Sequence, residues 1–567
     1  MISVSDNEFS LLFPENASRE CHSLRDEAIN DLSIDFLTEA LTRDPYEQNV
    51  LKTLITDIPF DEKVISYRND VFEDFLRFPK LRDDLTNLLL KLKDLREIER
   101  FQKDKESSYL WQLVNRLREI DGYVDCITQM KETLEALELT SEGLKTLRKT
   151  VQNIFNDSGF PILKEDITNA LLEIRHVKSI TLGVNLDDML RPKTVGVISL
   201  NDAHFTDSGL LKKFMKFASK QDELHHGNDV SGFIAFHPAN PSTRSIGLGQ
   251  PVMGAQQDLN HIADSSLTGK DPMSDALKRV VTDILKRTVN NLKGILNKYV
   301  GVSGYSFVSL MPEIIFYIRF AELTERIMKK GYPLAKPVIE ERDRRSCDIK
   351  GLYNIKLALR EIEESEIVKN DFFFNESARI YILTGPNRGG KTTITQAVGL
   401  AFLLSQIGVY APCDSITLSP CDNIYTHFPA DENDTVDLGR LGEESKRLSE
   451  IFDASTKYSL LLLNESLATT NIEEGLYIAK DVVKAMRYLR GRSVFNTHMH
   501  DLARGLKEVN ASTEGTSIIE SMVTGVEGGN RSFKISIAPP QGLSYAKDIA
   551  EKYGVTFDRI KENIDKR

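Results

Sequence analysis

The stretch Gly385-Pro-Asn-Arg-Gly-Gly-Lys-Thr392 has the spacing G-x-x-x-x-G-K-[ST]. Residues 379–383 before it are apolar and β-branched, as a buried parallel strand requires, and residues 393–404 after it carry apolar residues at helical spacing. A glycine-rich loop between a strand and a helix is the context in which this pattern binds phosphate. The stretch therefore predicts an α/β nucleotide-binding domain.

The residue types in this loop suit phosphate chemistry. Glycines let backbone N–H groups face phosphate oxygens, Lys391 supplies a positive charge to the β- and γ-phosphates, and the Thr392 hydroxyl is placed for Mg²⁺. The alternative is a glycine-rich turn that contains Lys-Thr by chance, and the flanking strand and helix disfavour it. The predicted nucleotide-binding residues are Gly385, Pro386, Asn387, Gly389, Gly390, Lys391, Thr392 and Thr393.

The composition indicates a multidomain protein. At 567 residues the chain exceeds one core, since domains average about 100 to 200 residues. It has no apolar stretch of about 18 residues and no basic segment followed by an apolar one at its start, so we expect a cytoplasmic protein with no membrane partner. The five cysteines lack metal-ligand spacing and are expected to be reduced structural thiols. The formal net charge of −12 argues against a generally basic nucleic-acid coat but allows a local basic surface.

The chain before the loop is predicted to be mainly helical, with a β-rich part in the middle. Residues 61–100 and 111–155 form two runs of helical spacing, and residues 179–185 and 194–200 read as strands joined by a turn at Arg191-Pro192. A third strand is predicted at 231–236, a long excursion at 238–272, and a helix of about seven turns at 276–299, followed by a helix at 311–330.

Two later segments are predicted to complete the nucleotide site. The segment Ser459-Leu-Leu-Leu-Leu463, with four apolar residues, delivers Asn464 and Glu465 to the carboxyl edge of a sheet, where Glu465 would polarise the attacking water. Asn464 stands where an aspartate near Mg²⁺ is normal, and its amide brings hydrogen bonds but no charge. A strand at 493–496 leads to His498, which could hydrogen-bond a γ-phosphate or water, although a histidine at a strand end is more often structural.

These residues resemble the MutS family of ABC-type ATPases. The family's loop TGPN-x-GGKST is matched by TGPNRGGKTT at 384–393, A-x-x-G-x-x-V-P-A by 405–413, and I-x-T-R by Ile424-Tyr-Thr-His427. The T-H-x-x-x-L motif is matched at 497–502 and the terminal S-Y-A-x-x-x-A motif at 544–550, while YRNDVFEDF and the helix, β-tip, helix layout resemble the family's core, lever and clamp domains. The resemblance implies ATP and Mg²⁺ as ligands.

The chain also departs from the family pattern. Where the family has D-E-x-G-R-G-T-S-T, this chain has Asn464-Glu-Ser-Leu-Ala-Thr-Thr-Asn471. The signature S-G-R-S-T-F with a later Glu is represented only by the stretch 438–444, LGRLGEE. Within it, the resemblance implies that Gly439 and Arg440 would act on the nucleotide of a partner subunit. Members that read mismatches have two further amino-terminal domains and an F-x-E wedge; here Phe13-Pro14-Glu15 is attributed to chance, and we expect a chain that starts close to the core domain.

The resemblance implies a fold in which a helical core and lever with a small β-rich clamp insertion precede an α/β P-loop ABC-type ATPase domain. The expected boundaries are 1–177 for the core and first lever, 178–272 for the clamp-like insertion, 273–335 for the returning lever and connector, and 336–567 for the ATPase domain with a carboxyl-terminal dimerisation segment.

Two classes of function remain open at this stage. The first is a homodimeric, ATP-dependent clamp on duplex or branched DNA in repair or recombination that does not read mismatches directly. The second is an ABC-type ATPase switch that acts on a protein partner without binding DNA. Candidate phosphate-backbone contacts on the clamp, which would be ordinary solvated charges in the second class, are Arg191, Lys193, Lys212, Lys213, Lys216 and Lys220.

Overall fold

The computed structural model separates into two compact units, and each is described by itself. The first unit comprises the described residues within 88–132 and 150–308, and the second comprises those within 8–87, 133–149 and 309–567. The described residues are 9–102, 109–175, 179–186, 188–189, 192–201, 290, 294–295, 297–298, 309–386, 388–428, 439–467, 472–515, 517–527, 530–540, 551 and 553–565.

Helices dominate the chain before the phosphate loop. The helices described up to residue 329 are α1 (Asp26–Asp31), α2 (Ile34–Leu41), α3 (Pro45–Thr56), α4 (Glu62–Arg77), α5 (Pro79–Gln102), α6 (Tyr109–Glu135), α7 (Glu142–Asn156), α8 (Gly159–Arg175) and α9 (Met311–Lys329). The strands of this part are β1 (Cys21–Ser23), β2 (Asp57–Pro59), β3 (Ser179–Leu186) and β4 (Pro192–Asn201). The pairs β1–β2 and β3–β4 are both antiparallel.

The rest of the chain alternates strands and helices. Its strands are β5 (Val338–Ile339), β6 (Cys347–Leu352), β7 (Asn370–Phe374), β8 (Ala378–Thr384), β9 (Ser415–Leu418), β10 (Ile424–His427), β11 (Leu460–Asn464), β12 (Arg492–Asn496), β13 (Ile518–Glu527) and β14 (Asn530–Ile537). Its helices are α10 (Ile355–Leu359), α11 (Lys391–Gln406), α12 (Gly439–Ala454), α13 (Ile472–Leu489), α14 (His500–Arg504), α15 (Leu506–Ser512) and α16 (Phe557–Asp565).

A six-stranded sheet carries the phosphate loop, in the order β10-β11-β12-β8-β13-β14. All neighbouring pairs are parallel except β13–β14, so the carboxyl ends of five strands meet at one edge. A smaller sheet has the order β5-β9-β6-β7. In a parallel sheet, functional side chains collect at that carboxyl edge.

The central strands are buried along their whole length because helices cover both faces of the sheet. Every residue of β8, β11 and β12 is buried, which accounts for their nearly continuous apolar sequences. Leu461 and Leu463 pack in one cluster with Leu448 of α12 and Val483 of α13. On the opposite face α11 approaches closely at Gly399, where a β-carbon would lie 2.7 Å from Leu462 Cδ1.

The amino-terminal segment of the second unit is anchored by buried polar contacts. Tyr67 Oη donates to Ser10 O at 2.8 Å, and Arg68 Nε donates to Leu12 O at 3.0 Å. The Arg68 guanidinium also lies 4.7 Å from the ring centre of Phe13. Phe13 thus packs within this unit, and the YRNDVFEDF stretch serves here to hold the segment.

The strand and helix predictions around the loop are confirmed, as are the two strands at β3 and β4. Three details differ. Pro79 interrupts the run predicted at 61–100 and starts α5, and residues 136–141 divide the run at 111–155 between α6 and α7. Pro192 begins β4 instead of lying in the turn, which an edge strand permits because proline has no N–H to donate.

Some predicted segments lie outside the described residues, namely the strand at 231–236 and the excursion at 238–272. Of the helix predicted at 276–299, the described residues 290, 294–295 and 297–298 are helical. Within the described part of the chain, no helix is long and apolar enough to cross a membrane.

Candidate nucleotide site

The phosphate loop runs from the end of β8 at Thr384 to the start of α11 at Lys391. Gly385 and Gly390 have φ values of +149° and +84°, a region that side chains rarely adopt. A β-carbon at Gly385 would also collide with Thr524 Oγ1. Both glycines are therefore required by the backbone path, and the loop opens directly into the first turn of the helix. Asn387 lies outside the described residues.

Lys391 is buried within the loop. Its Nζ donates to Gly385 O at 3.2 Å and to Pro386 O at 3.1 Å, and the residue is 4% exposed. Burial lowers the pKa of Lys391 below its ordinary value, and the negative charge of Glu465 partly offsets that effect. A cation held by loop carbonyls beside a carboxylate is placed to exchange those carbonyls for phosphate oxygens.

Thr392, Asn464 and Asn496 form a hydrogen-bonded group beside the loop. Thr392 Oγ1 donates to Asn464 Oδ1 at 2.8 Å, and Asn496 Nδ2 donates to the same oxygen. Asn464 and Asn496 end the neighbouring strands β11 and β12, so the parallel register brings them together. Asn464 therefore holds the threonine hydroxyl by its amide oxygen.

Glu465 and His498 face each other next to this group. His498 Nε2 and Glu465 Oε1 are 2.7 Å apart, and each side chain is 34% exposed. Glu465 has a φ of +52°, and its backbone N–H donates to Asn496 O at 2.8 Å. A non-glycine residue in this backbone region is costly and is found most often at functional sites. His498, two residues after the end of β12, thus contacts the carboxylate that the sequence singled out.

A cavity of about 450 Å³ opens from the loop. Its polar end is lined by Gly389, Gly390, Lys391, Thr392, Thr393 and Glu465. Its apolar wall is formed by Leu352, Tyr353, Leu357, Ile362, Ile367, Val368 and Phe533. A mostly apolar cleft with a few convergent polar groups is the usual form of a cofactor or ligand site, and this one has the size for it.

The apolar wall of the cavity and one residue of the loop could not be identified from the sequence. Phe533 lies about 150 residues after the loop, and no spacing connects it with residues 352–368. Asn370 fixes the strand that carries Phe533, β14, by donating to Phe533 O at 3.1 Å and accepting from Ile535 N at 2.8 Å. Arg388 occupies a position that the loop pattern leaves unspecified, yet it lines the cavity and has a φ of +58°.

Comparison with known proteins identifies both parts of the chain. Residues 381–535 match the family model for MutS domain V, and residues 60–330 match that for the MutS2 N-terminal domain. The resemblance to the MutS family is confirmed by both matches. The loop, the Asn464–Glu465 pair and His498 all lie within the domain V match.

MutS-family relatives align with most of this chain at low identity. A protein from Fervidobacterium nodosum is 24% identical over 545 residues, covering 92% of this chain and 61% of the relative. A Clostridium botulinum protein is 27% identical over 517 residues, covering 78% and 54%, respectively. Both are named "DNA mismatch repair protein MutS". The chain spans about half the length of the curated relatives it matches.

Three further positions that correspond to the MutS pattern lie at the start of α12 and at the end of β10. Gly439 and Arg440 are the first two residues of α12, and their side chains lie outside the described part. His427, which stands for arginine in I-x-T-R, is buried with Nδ1 2.7 Å from Ser466 Oγ. Burial, with the positive charge of Arg447 adding to it, lowers the pKa of His427 to about 4, so the ring is neutral near pH 7.

Metal-ligating residues do not cluster elsewhere in the described ranges, where no group of three or more His, Cys, Asp or Glu could hold an ion. Cys126, Cys347, Cys413 and Cys421 are buried free thiols, as the sequence predicted. Of the candidate basic contacts, Lys193 lies in β4 with its side chain outside the described part, and Arg191, Lys212, Lys213, Lys216 and Lys220 lie outside the described residues.

Proposed function

We propose that this chain hydrolyses ATP to ADP and phosphate in the cavity beside the phosphate loop. The observation that carries the proposal is the 2.7 Å contact between His498 and Glu465, which lines the same cavity as Lys391. Phosphoryl transfer depends on positioning and charge placement, and these residues provide both.

The two ends of the cavity suit different parts of one nucleotide. Lys391 and the loop N–H groups would bind the β- and γ-phosphates, while Tyr353, Phe533 and the aliphatic wall would cover the base. Thr393 lines the same pocket at the start of α11, where the helix dipole favours negative charge. The base and the phosphates would therefore be held by residues of different physical character.

The residues present fit Mg²⁺ bound through one hydroxyl and the nucleotide. Thr392 Oγ1 lies beside the loop, and its hydrogen bond to Asn464 Oδ1 fixes its direction. Mg²⁺ commonly keeps several waters and takes few protein ligands besides substrate phosphates. When bound, the ion would neutralise phosphate charge, and Asn464 would orient the Thr392 hydroxyl.

Glu465 is proposed as the residue that holds and polarises the attacking water. Its carboxylate contacts His498, so the two side chains can orient each other. His498 would then stabilise the carboxylate or the terminal phosphate by donating a hydrogen bond. ATP binding itself would depend on Lys391 and the loop, and not on Glu465.

Lys391→Met tests this assignment most directly. The substitution removes the counter-charge inside the loop, so ATP binding in equilibrium titration should be abolished, while an exposed lysine on α12 provides the control Lys446→Met with unchanged binding. Unchanged ATP affinity in Lys391→Met would contradict the proposed site.

We propose further that ATP controls a homodimeric clamp on duplex or branched DNA, in repair or recombination and without direct mismatch reading. The family membership and the names of the relatives support DNA binding, and the expected core, lever, clamp and ATPase boundaries at 177, 272 and 335 remain part of this proposal. A cytoplasmic location is proposed with it. The alternative is a switch that acts on a protein partner.

A binding panel separates these alternatives. Linear, mismatched, forked and four-way DNA would be titrated at several salt concentrations, because phosphate contacts make affinity fall steeply as salt rises. Salt-dependent binding with little preference for the mismatch supports the clamp. An absence of DNA binding at low salt in all four cases, with ATP hydrolysis intact, supports the protein-partner switch.

The dimer proposal gives Gly439 and Arg440 a role at the partner's nucleotide. In a two-fold dimer a mixture of Arg440→Ala and Lys391→Met subunits leaves one composite site intact, whereas each variant alone leaves none. Activity should therefore reappear on mixing. If it does not, and light scattering shows a monomer with ATP bound, Arg440 is an ordinary surface charge.

A further inference from the structure

The turn that follows β11 has an unusual backbone. Glu465 and Leu467 have φ values of +52° and +64°, and neither is glycine. Such residues persist only where surrounding contacts determine the conformation. Since Glu465 is the proposed catalytic carboxylate, whatever fixes this turn also fixes the direction of that carboxylate.

Each of the three residues of the turn is held by at least one hydrogen-bond contact. Glu465 N donates to Asn496 O at 2.8 Å, and His427 Nδ1 lies 2.7 Å from Ser466 Oγ. Leu467 N donates to Glu444 Oε2 at 2.6 Å. The first two partners belong to β12 and β10, which are part of the sheet. The third belongs to α12, so it joins the turn to a separate element.

Helix α12 is itself tied to the end of β10. Arg447, one turn after Glu444, donates to Phe428 O and Thr426 O at 3.3 Å each and to Asp31 Oδ2 at 3.2 Å. Further along the helix, Leu448 and Ile451 pack in the same buried cluster as Leu467. The body of α12 is thus fixed against the sheet, and Glu444 lies between that fixed body and the start of the helix at Gly439.

The hydrogen bond that Leu467 N donates to the Glu444 carboxylate is expected to be strong. A backbone N–H that donates to a carboxylate makes a charge-assisted hydrogen bond, shorter and stronger than a bond between neutral groups. The bond also satisfies the N–H of a residue whose side chain is completely buried. Loss of this acceptor would leave the left-handed conformation of Leu467 without its support from α12.

We propose that Glu444 is a positioning residue for ATP hydrolysis: it couples α12 to the Glu465 turn and so holds the Glu465 carboxylate toward His498 and the cavity. The inference rests on the proposed ATPase function. Because Glu444 acts through the turn and not through the loop, its removal should slow hydrolysis and leave nucleotide affinity unchanged. A shift at the start of α12 would reach Glu465 by the same bond.

The test compares Glu444→Ala and Glu444→Gln with the neighbour Glu443→Ala. The control removes the same charge from the same turn of α12. Glu444→Ala should lower single-turnover hydrolysis roughly tenfold, the effect expected for loss of one charge-assisted hydrogen bond, with ATP affinity within about twofold of the parent. Glu444→Gln keeps an acceptor oxygen and should recover most of the rate, and Glu443→Ala should match the parent.

A second background shows whether the effect passes through Glu465. In Glu465→Gln the added Glu444→Ala change should cause no further loss of rate, because the group being positioned is already disabled. Additive losses, a rate for Glu444→Ala equal to that of Glu443→Ala, or a fall in ATP affinity together with thermal stability would each overturn the proposal.

Hydrogen exchange separates this inference from the proposed activity. Exchange of the amides at 465–467 should speed up in Glu444→Ala and remain at the parent rate in Glu443→Ala, with or without ATP. If the parent protein does not hydrolyse ATP, the proposed function is wrong. If hydrogen exchange at residues 465–467 is unchanged in Glu444→Ala, the inference is wrong even when the protein is active.

Discussion

The two ends of the six-stranded sheet both bury cations, but they bury them in different surroundings. At the carboxyl end Lys391 is held by the carbonyls of its own loop, next to a cavity of about 450 Å³. At the amino end Arg492 is completely buried and donates to Pro420 O at 2.8 Å and Tyr458 O at 2.9 Å. Burial lowers the pKa of both side chains.

The comparison shows that burial of a charge does not by itself mark a functional site. Arg492 has fixed partners on the chain and packs 5.0 Å from the ring centre of Phe402, so it has nothing to exchange. Lys391 lies beside open space, near a carboxylate and a directed hydroxyl. The distinguishing features are the cavity and the exchangeable partners, and they can be tested at each end separately.

The largest effect is expected at the carboxyl end, from Glu465→Gln. The amide keeps the shape of the side chain but cannot accept a proton from water, so turnover should fall by about 10² to 10⁴ while ATP still binds. Turnover and equilibrium ATP binding would be measured on the same preparation. Hydrolysis at the parent rate would assign the base to another residue and remove the chemistry from this end of the sheet.

Arg492→Met, at the amino end of the sheet, should lower stability and leave nucleotide binding unchanged. Loss of the guanidinium leaves the carbonyls of Ser419, Pro420 and Tyr458 without donors, which should lower the free energy of unfolding by about 3 kcal/mol.

Urea denaturation would measure the Arg492→Met change, and ATP affinity of the folded protein should equal that of the parent. The exposed neighbour provides the control Arg490→Met, with a change below about 0.5 kcal/mol. A loss of ATP affinity with unchanged stability would reverse the assignment of the two ends.

Asn464→Asp is expected to have the smallest effect and sharpens the description of the carboxyl end. A carboxylate can still accept from Thr392 and Asn496 and adds the charge that Mg²⁺ prefers, so the Mg²⁺ concentration for half-maximal turnover should fall by about three- to tenfold. Turnover measured across a Mg²⁺ titration would show it. Loss of activity would mean that the neutral amide has a specific hydrogen-bonding role.

Sequence analysis predicted the parts of the site that lie next to strand ends. The loop pattern and the apolar runs before Asn464 and His498 follow local spacing, and parallel strands then bring their ends together. The apolar wall could not be predicted in this way, because Tyr353 and Phe533 meet only through tertiary packing and follow no shared period.

The same limit applies to the helical part. Apolar spacing predicted helix at 61–100 and 111–155, but spacing alone does not show where a helix breaks. Asp74 accepts hydrogen bonds from Thr140 N at 3.1 Å and Ser141 N at 2.7 Å, and this distant contact fixes the start of α7. The role of Glu444 is hidden for the same reason, since its partner Leu467 is 23 residues away.

The carbonyl contacts of Lys391 have a consequence for the proton balance of nucleotide binding. Burial lowers the pKa of Lys391 from its ordinary value, and nearby phosphate would raise it. Between the lower pKa of Lys391 without phosphate and the higher one with it, ATP binding takes up protons, so ATP affinity should fall as pH rises through that interval. Calorimetric titrations in buffers of different ionisation enthalpy would then give different apparent binding enthalpies. Lys391 would take up a proton when the nucleotide binds.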